Sequence, residues 1–209
     1  MRRPGVDGYF IAKFRRAPTT GRAKNLDITT GALTIAVPNP PRSMMPPRTT
    51  TPQFKPRAAN YRARVEDSFA RQRVMKTLGI SLIAIAPGEI ELKLPFDAKL
   101  TQQHGFMHAG VISTALDSAC GYAAFSLMPE DAAVLTVEFK VNLLSPAKGA
   151  YFTITGRVVR PGKSITVAQG EAWAHGHDGE DPDNKGERKQ VAAMTATLMA
   201  ISGRADVRG

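Results

Sequence analysis

The chain has one cysteine, Cys120, among 209 residues, which excludes an internal disulfide framework and a Cys-based metal cluster. Cys120 lies among alanines and reads as a small buried residue rather than a nucleophile. No stretch reaches the roughly 18 uninterrupted apolar residues of a membrane span, and the first residues lack the apolar core of a secretory signal. A cytoplasmic protein without a membrane partner is therefore expected. No Gly-x-Ser-x-Gly elbow occurs, which disfavours Ser/His/Asp chemistry. Acidic side chains are also scarce, 18 against 28 Lys and Arg for a formal net charge of +10, but the imbalance is local. Residues 1–59 hold 11 Lys and Arg against Asp7 and Asp27, whereas residues 60–209 hold 17 against 16.

The basic excess thus sits in a leader that also carries nine of the fifteen prolines. Such a segment is predicted to be disordered and dispensable, so that a chain starting near Arg57 keeps its fold. Its composition fits an organelle transit peptide, a tether for nucleic acid or a membrane surface, or a translation start upstream of a true one at Met44 or Met45. The nearly neutral remainder gives no reason to expect nucleic-acid binding.

What the chain does have is a long run of small and apolar residues, from His108 to about Leu127, in which Asp117 is the only formal charge between Lys99 and Glu130. At helical spacing Gly110, Ser113, Thr114, Asp117 and Gly121 share one face. Asp117 then either marks a thin solvated stripe or is a catalytic carboxylate on a mostly buried helix, since ionised carboxylates are seldom buried without a reason.

Around this helix the pattern predicts an α+β domain over residues 60–209. A helix begins after Asn60 and runs through Tyr61, Val65, Phe69, Met75 and Leu78 to Gly79. Segments 80–85 and 90–94 form a hairpin about Pro87-Gly88. Four further strands are expected at 133–144, 150–160, 164–174 and 190–201, and their short connections imply antiparallel pairing. An antiparallel sheet curled around one central helix satisfies this order. The polar stretch from His175 to Lys189 reads as a projecting loop, with His175 and His177 as solvated residues. Its Asp181-Pro182-Asp183-Asn184-Lys185-Gly186 departs from a calcium loop at Lys185 and Ala192. No metal site and no cofactor are expected.

The stretch Gln102–Ala124, together with Leu135–Gly149 and Ser68-Phe69-Ala70-Arg71-Gln72, resembles the hotdog-fold acyl-CoA thioesterases of the phenylacetate-degradation (PaaI-like) type over roughly residues 60–202. In that family a His-Gly-Gly at the helix start precedes a catalytic carboxylate by nine residues; here His108-Ala109-Gly110 precedes Asp117 by the same interval. The resemblance implies a hotdog fold and hydrolysis of an acyl-CoA thioester. It implies that the Ala109 N–H polarises the thioester carbonyl, that Asp117 is base or nucleophile, and that Thr136 helps hold the attacking water. Gln102 stands where many members have Asn, and Ala109 where many have Gly; the N–H survives that change if the backbone needs no positive φ. Gln103, His104, Gly105, His108 and Gly110 are the associated substrate-binding candidates, and Lys148, Arg160 and Lys163 are candidate partners for the phosphates of coenzyme A.

The chemistry fits on its own terms. Unpaired N–H groups at a helix start suit a developing oxyanion, and Asp117 is the only carboxylate on this helix able to activate water or attack. Ala109 and Asp117, eight residues apart, lie roughly 12 Å apart along a helix axis. If both act on one carbonyl they come from different chains, so a homodimer with shared sites is expected, or a dimer of dimers. Two other readings stay open: a non-catalytic acyl-CoA-binding module or sensor, and an acyl-thioester hydratase or dehydratase using His104 or His108.

Overall fold

The alternation of Ile90, Leu92 and Leu94 with Glu91 and Lys93 buries one face of a strand and wets the other, and the structure, a computed structural model, builds the domain on that pattern. It describes residues 54–176 and 188–203. Helices α1 (Tyr61–Arg71) and α2 (Arg73–Thr77) lead into β1 (Ser81–Ala86) and β2 (Glu89–Pro95). The long helix α3 (Ala109–Phe125) follows, then β3 (Ala133–Leu143), β4 (Tyr151–Arg160), β5 (Ile165–His175) and β6 (Arg188–Ile201). All neighbouring strands are antiparallel, in the order β1-β2-β4-β5-β6-β3. Helix α3 packs on β2 to β6, the hotdog arrangement anticipated above.

Small residues let α3 lie close to the sheet. A Cβ on Gly156 of β4 would fall 2.3 Å from the backbone of Ala119, and one on Gly170 of β5 would fall 3.0 Å from Cys120 Sγ. Ile112, Leu116, Ala119, Ala123 and Phe125 are buried against Leu92, Leu94, Phe152, Ile154 and Leu198. Past the helix, buried Ser126 accepts the Gly88 N–H at 2.8 Å and donates to Ala123 O at 2.7 Å, tying α3 to the β1–β2 turn. Gly88 itself needs the left-handed region, at φ 77°. Ser126→Ala should therefore cost about 1–3 kcal/mol, because it strands a buried N–H; thermal unfolding should show a drop of several degrees in Tm.

Several expectations are corrected. The first helix is two helices, because Gln72 turns extended (ψ 94°) between them and its carbonyl accepts from the Met75 N–H. Asn60 does not cap α1 with its side chain; its amide donates to Glu130 instead, at 3.1 Å. Order begins before residue 60, since Ala58 is buried and Phe54 packs on the core over Gly88. A chain starting at Arg57 would therefore lose a core contact. The short β3–β4 connection does not join paired strands. Strand β3 pairs with β6 at the far edge, and residues 144–150 carry the chain back across the end of the curled sheet. His175 belongs to β5 rather than to a loop: its ring stacks on Tyr151 at 4.4 Å, its Nε2 lies 2.8 Å from Thr153 Oγ1, and burial, reinforced by Arg188, lowers its pKa. His177, the calcium-like segment 181–186 and the leader up to residue 53 lie outside the described residues.

Candidate active site

The polar loop before α3 is pinned at both ends by its backbone. Thr101 bridges Met107, the Gln102 N–H bonds Phe106 O at 2.9 Å, the Met107 N–H bonds Ala147 O at 3.0 Å, and the His108 N–H bonds Leu100 O at 2.9 Å. Gly105, at φ 80°, makes the turn between them. His108 is the N-cap: its Nδ1 accepts the Gly110 N–H at 2.9 Å, so the ring carries its proton on Nε2. With Gly110 capped by His108 Nδ1, and Val111 and Ile112 bonded to His108 O, the Ala109 N–H makes no hydrogen bond among the described residues. Ala109 has no positive φ, so alanine keeps the N–H that a glycine would present there.

Ala109 lines a cavity of about 450 Å³ with Gln102, Phe106, Met107, Ile112, Leu143 and Leu144. Gln102 holds the loop by accepting the His104 N–H on Oε1. Gln103, His104 and Gly105 are exposed and line no part of that cavity.

A second cavity, of about 400 Å³, lies two turns along α3 and contains Asp117, Thr136, Ser68, Gln72, Gly121 and Tyr122. Asp117 is half-buried and accepts a 2.7 Å hydrogen bond from Thr136 Oγ1 on Oδ1. The structure thus brings Asp117 together with Thr136, and Ala109 together with Gln102, in two separate places. Apolar side chains divide in the same way, with Phe106 and Met107 at the helix start and Tyr122 and Phe125 beside Asp117. Burial pushes the Tyr122 hydroxyl above its ordinary pKa.

The three cations do not form one cluster. Lys148 follows Pro146 and Ala147, which line the helix-start cavity, whereas Arg160 ends β4 and Lys163 follows it at the opposite end of that strand, about 30 Å of extended strand away. Lys163 instead shares a smaller cavity with Lys55 and Arg57, both of which composition alone assigns to the leader. Ser68 and Gln72 were not legible as site residues either, because only the packing of α1 on α3 brings them to Asp117. Among the described residues no group of His, Cys, Asp and Glu could hold a metal ion, and no helix is long and apolar enough to cross a membrane.

Cys120 points away from this chemistry. It is buried, and desolvation with the charge of Asp117 pushes its thiol up to about 12. A thiol reagent should leave the native protein unmodified and titrate one group only after denaturation, which a colorimetric thiol count will check.

Comparison with known proteins identifies the family. The thioesterase superfamily profile matches residues 104–179. A thioesterase family protein from Silicibacter pomeroyi of known structure is 57% identical, covering 68% of this chain and 99% of its own, with a TM-score of 0.64. The PaaI protein of the Escherichia coli phenylacetic acid degradation operon shares the fold at 20% identity, covering 70% of this chain and 97% of its own, with a TM-score of 0.59. A Saccharolobus solfataricus protein provisionally named an esterase is 33% identical over 109 residues, 52% of this chain and 72% of that protein. With such identity across nearly all of one relative and most of another, the chain belongs to the thioesterase superfamily, whose reaction is the hydrolysis of thioesters.

Proposed function

We propose that this protein is a cytoplasmic acyl-CoA thioesterase that works as a homodimer, each site combining the Ala109 N–H of one protomer with Asp117 and Thr136 of the other. The observation that carries the reading is the 2.7 Å Thr136–Asp117 hydrogen bond inside a cavity, on the same helix whose first N–H is free. Asp117, as general base, takes a proton from a water that also donates to the Thr136 oxygen; the hydroxide equivalent adds to the thioester carbon. The carbonyl oxygen becomes an oxyanion facing the Ala109 N–H. Collapse breaks the C–S bond, and the departing thiolate recovers the proton from Asp117, leaving free acid and the CoA thiol. Lys148, next in sequence to the Pro146 and Ala147 that line the helix-start cavity, meets the phosphates.

Edge strand β3 supports the dimer. It spans 11 residues and leaves Leu135 47%, Val137 55%, Phe139 47% and Leu143 57% exposed. A long apolar edge invites pairing with another strand, and two copies of β3 related by a two-fold axis would extend the sheet and cover it. The test is free-thiol release from a panel of acyl-CoAs, with size-exclusion chromatography for assembly. Absence of turnover with tight CoA-ester binding would favour an acyl-CoA sensor instead.

A further inference from the structure

Helix α3 contains a glycine that its packing does not require. Gly156 and Gly170 are small because α3 presses on them, but a Cβ added to Gly121 would meet nothing within 4 Å. Its φ is not in the left-handed range, so the backbone does not demand glycine either. Glycine in a helix interior is less favourable than alanine, and Gly121 sits four residues before the helix end, buried. The chain therefore carries an unfavourable residue in order to leave a space open inside the protein. That space belongs to the cavity shared by Asp117, Ser68, Gln72 and Tyr122.

The direction of the cavity follows from burial along the helix. The same face runs from exposed Gly110, through half-buried Thr114 and Asp117, to buried Gly121 and then Phe125, which is 1% exposed. Coenzyme A is large and anionic and must stay at the open end, so the acyl group is the part of a thioester that enters the buried one. We propose that Gly121 is the specificity-determining residue of this enzyme: its missing side chain sets how long an acyl group can lie beyond Asp117. This rests on the acyl-CoA reading above. The chamber is not purely apolar. Ser68 Oγ lies 3.4 Å from the Tyr122 hydroxyl, and Ser118 Oγ lies 3.4 Å from Gln72 Oε1. Both distances are beyond the usual range for hydroxyl hydrogen bonds, so these groups have capacity to bond a polar substituent on the acyl chain.

The experiment compares wild type, Gly121→Ala and Gly121→Val on straight-chain acyl-CoAs from acetyl to decanoyl, with melting temperature and dimer state measured in parallel. Because one excess methylene in a fitted pocket is worth about 10- to 200-fold in kcat/KM, Gly121→Val should depress the longest chain that wild type accepts by at least about tenfold relative to the shortest, with Gly121→Ala between. Gly121→Ala should also raise Tm by about 2–4 °C, the helix gain without a clash. Equal loss on every chain length, or a weakened dimer with lowered Tm, would overturn the proposal, the latter showing that a side chain of the second protomer fills the space. A wild type inactive on every thioester would instead defeat the hydrolytic reading, and this proposal with it.

Discussion

Asp117→Asn should lower kcat/KM for acyl-CoA hydrolysis by between about a hundred- and ten-thousand-fold, the range typical of losing a positioned general base. The substitution keeps the size and shape of the side chain, and its carbonyl oxygen still accepts from Thr136, whose hydroxyl lies 2.7 Å from Oδ1. What disappears is the negative charge and the ability to take a proton. Because Asp117 is only half-buried and forms no ion pair among the described residues, its replacement should leave the thermal midpoint nearly unchanged. Thr136→Ala should cost less, on the order of tenfold, since it removes one water contact and not the base. A folded, dimeric Asp117→Asn protein with wild-type turnover would falsify the assignment of the base. A loss confined to KM would reduce Asp117 to a binding group.

The reason this residue could be picked out from sequence is also the reason much else could not. A single carboxylate in a run of small apolar residues is a local anomaly, and the free N–H at a helix start follows from the hydrogen-bond pattern of any helix. Strand alternation in β2, β4, β5 and β6 is likewise local, and their predicted limits lie within a residue or two of those in the structure. The misses concern what tertiary packing alone decides. Nothing local marks Gln72 as a helix break, since its extended backbone is accompanied by a contact with Ser118, 46 residues away. The place of β3 beside β6 depends on the curl of the whole sheet. Lys148 and Lys163 both read as candidate phosphate partners, yet the length of β4 separates them. His175 reads as loop because polar residues on the outer face of a sheet resemble a turn, although Tyr151 stacks on it. Gly121 is the converse case: it looked like one more small residue, and only the empty volume beside it distinguishes it from Gly156.

Mixing two inactive variants should restore activity, and this is the sharpest consequence of having Ala109 and Asp117 eight residues apart on one helix. Roughly 12 Å of axial rise separates them, while a carbonyl being attacked must touch an oxyanion donor and the base-bound water within hydrogen-bonding distance of each. One variant is Asp117→Ala. The other is Ala109→Pro, which deletes the N–H at the first helical position, where proline is well tolerated because that N–H has no partner in the helix. Each homodimer then lacks one element at both of its sites. In a mixed dimer both lesions fall in the same site, and the second site is intact. Random exchange at equal concentrations makes about half of the dimers mixed, each with one working site of two, so activity should recover to roughly a quarter of wild type for a closed two-fold pair. Exchange is verified by mass spectrometry of differently tagged chains. Verified mixed dimers without recovered turnover, or full activity in a protein that runs as a monomer, would refute the shared site and require a donor other than Ala109 beside Asp117.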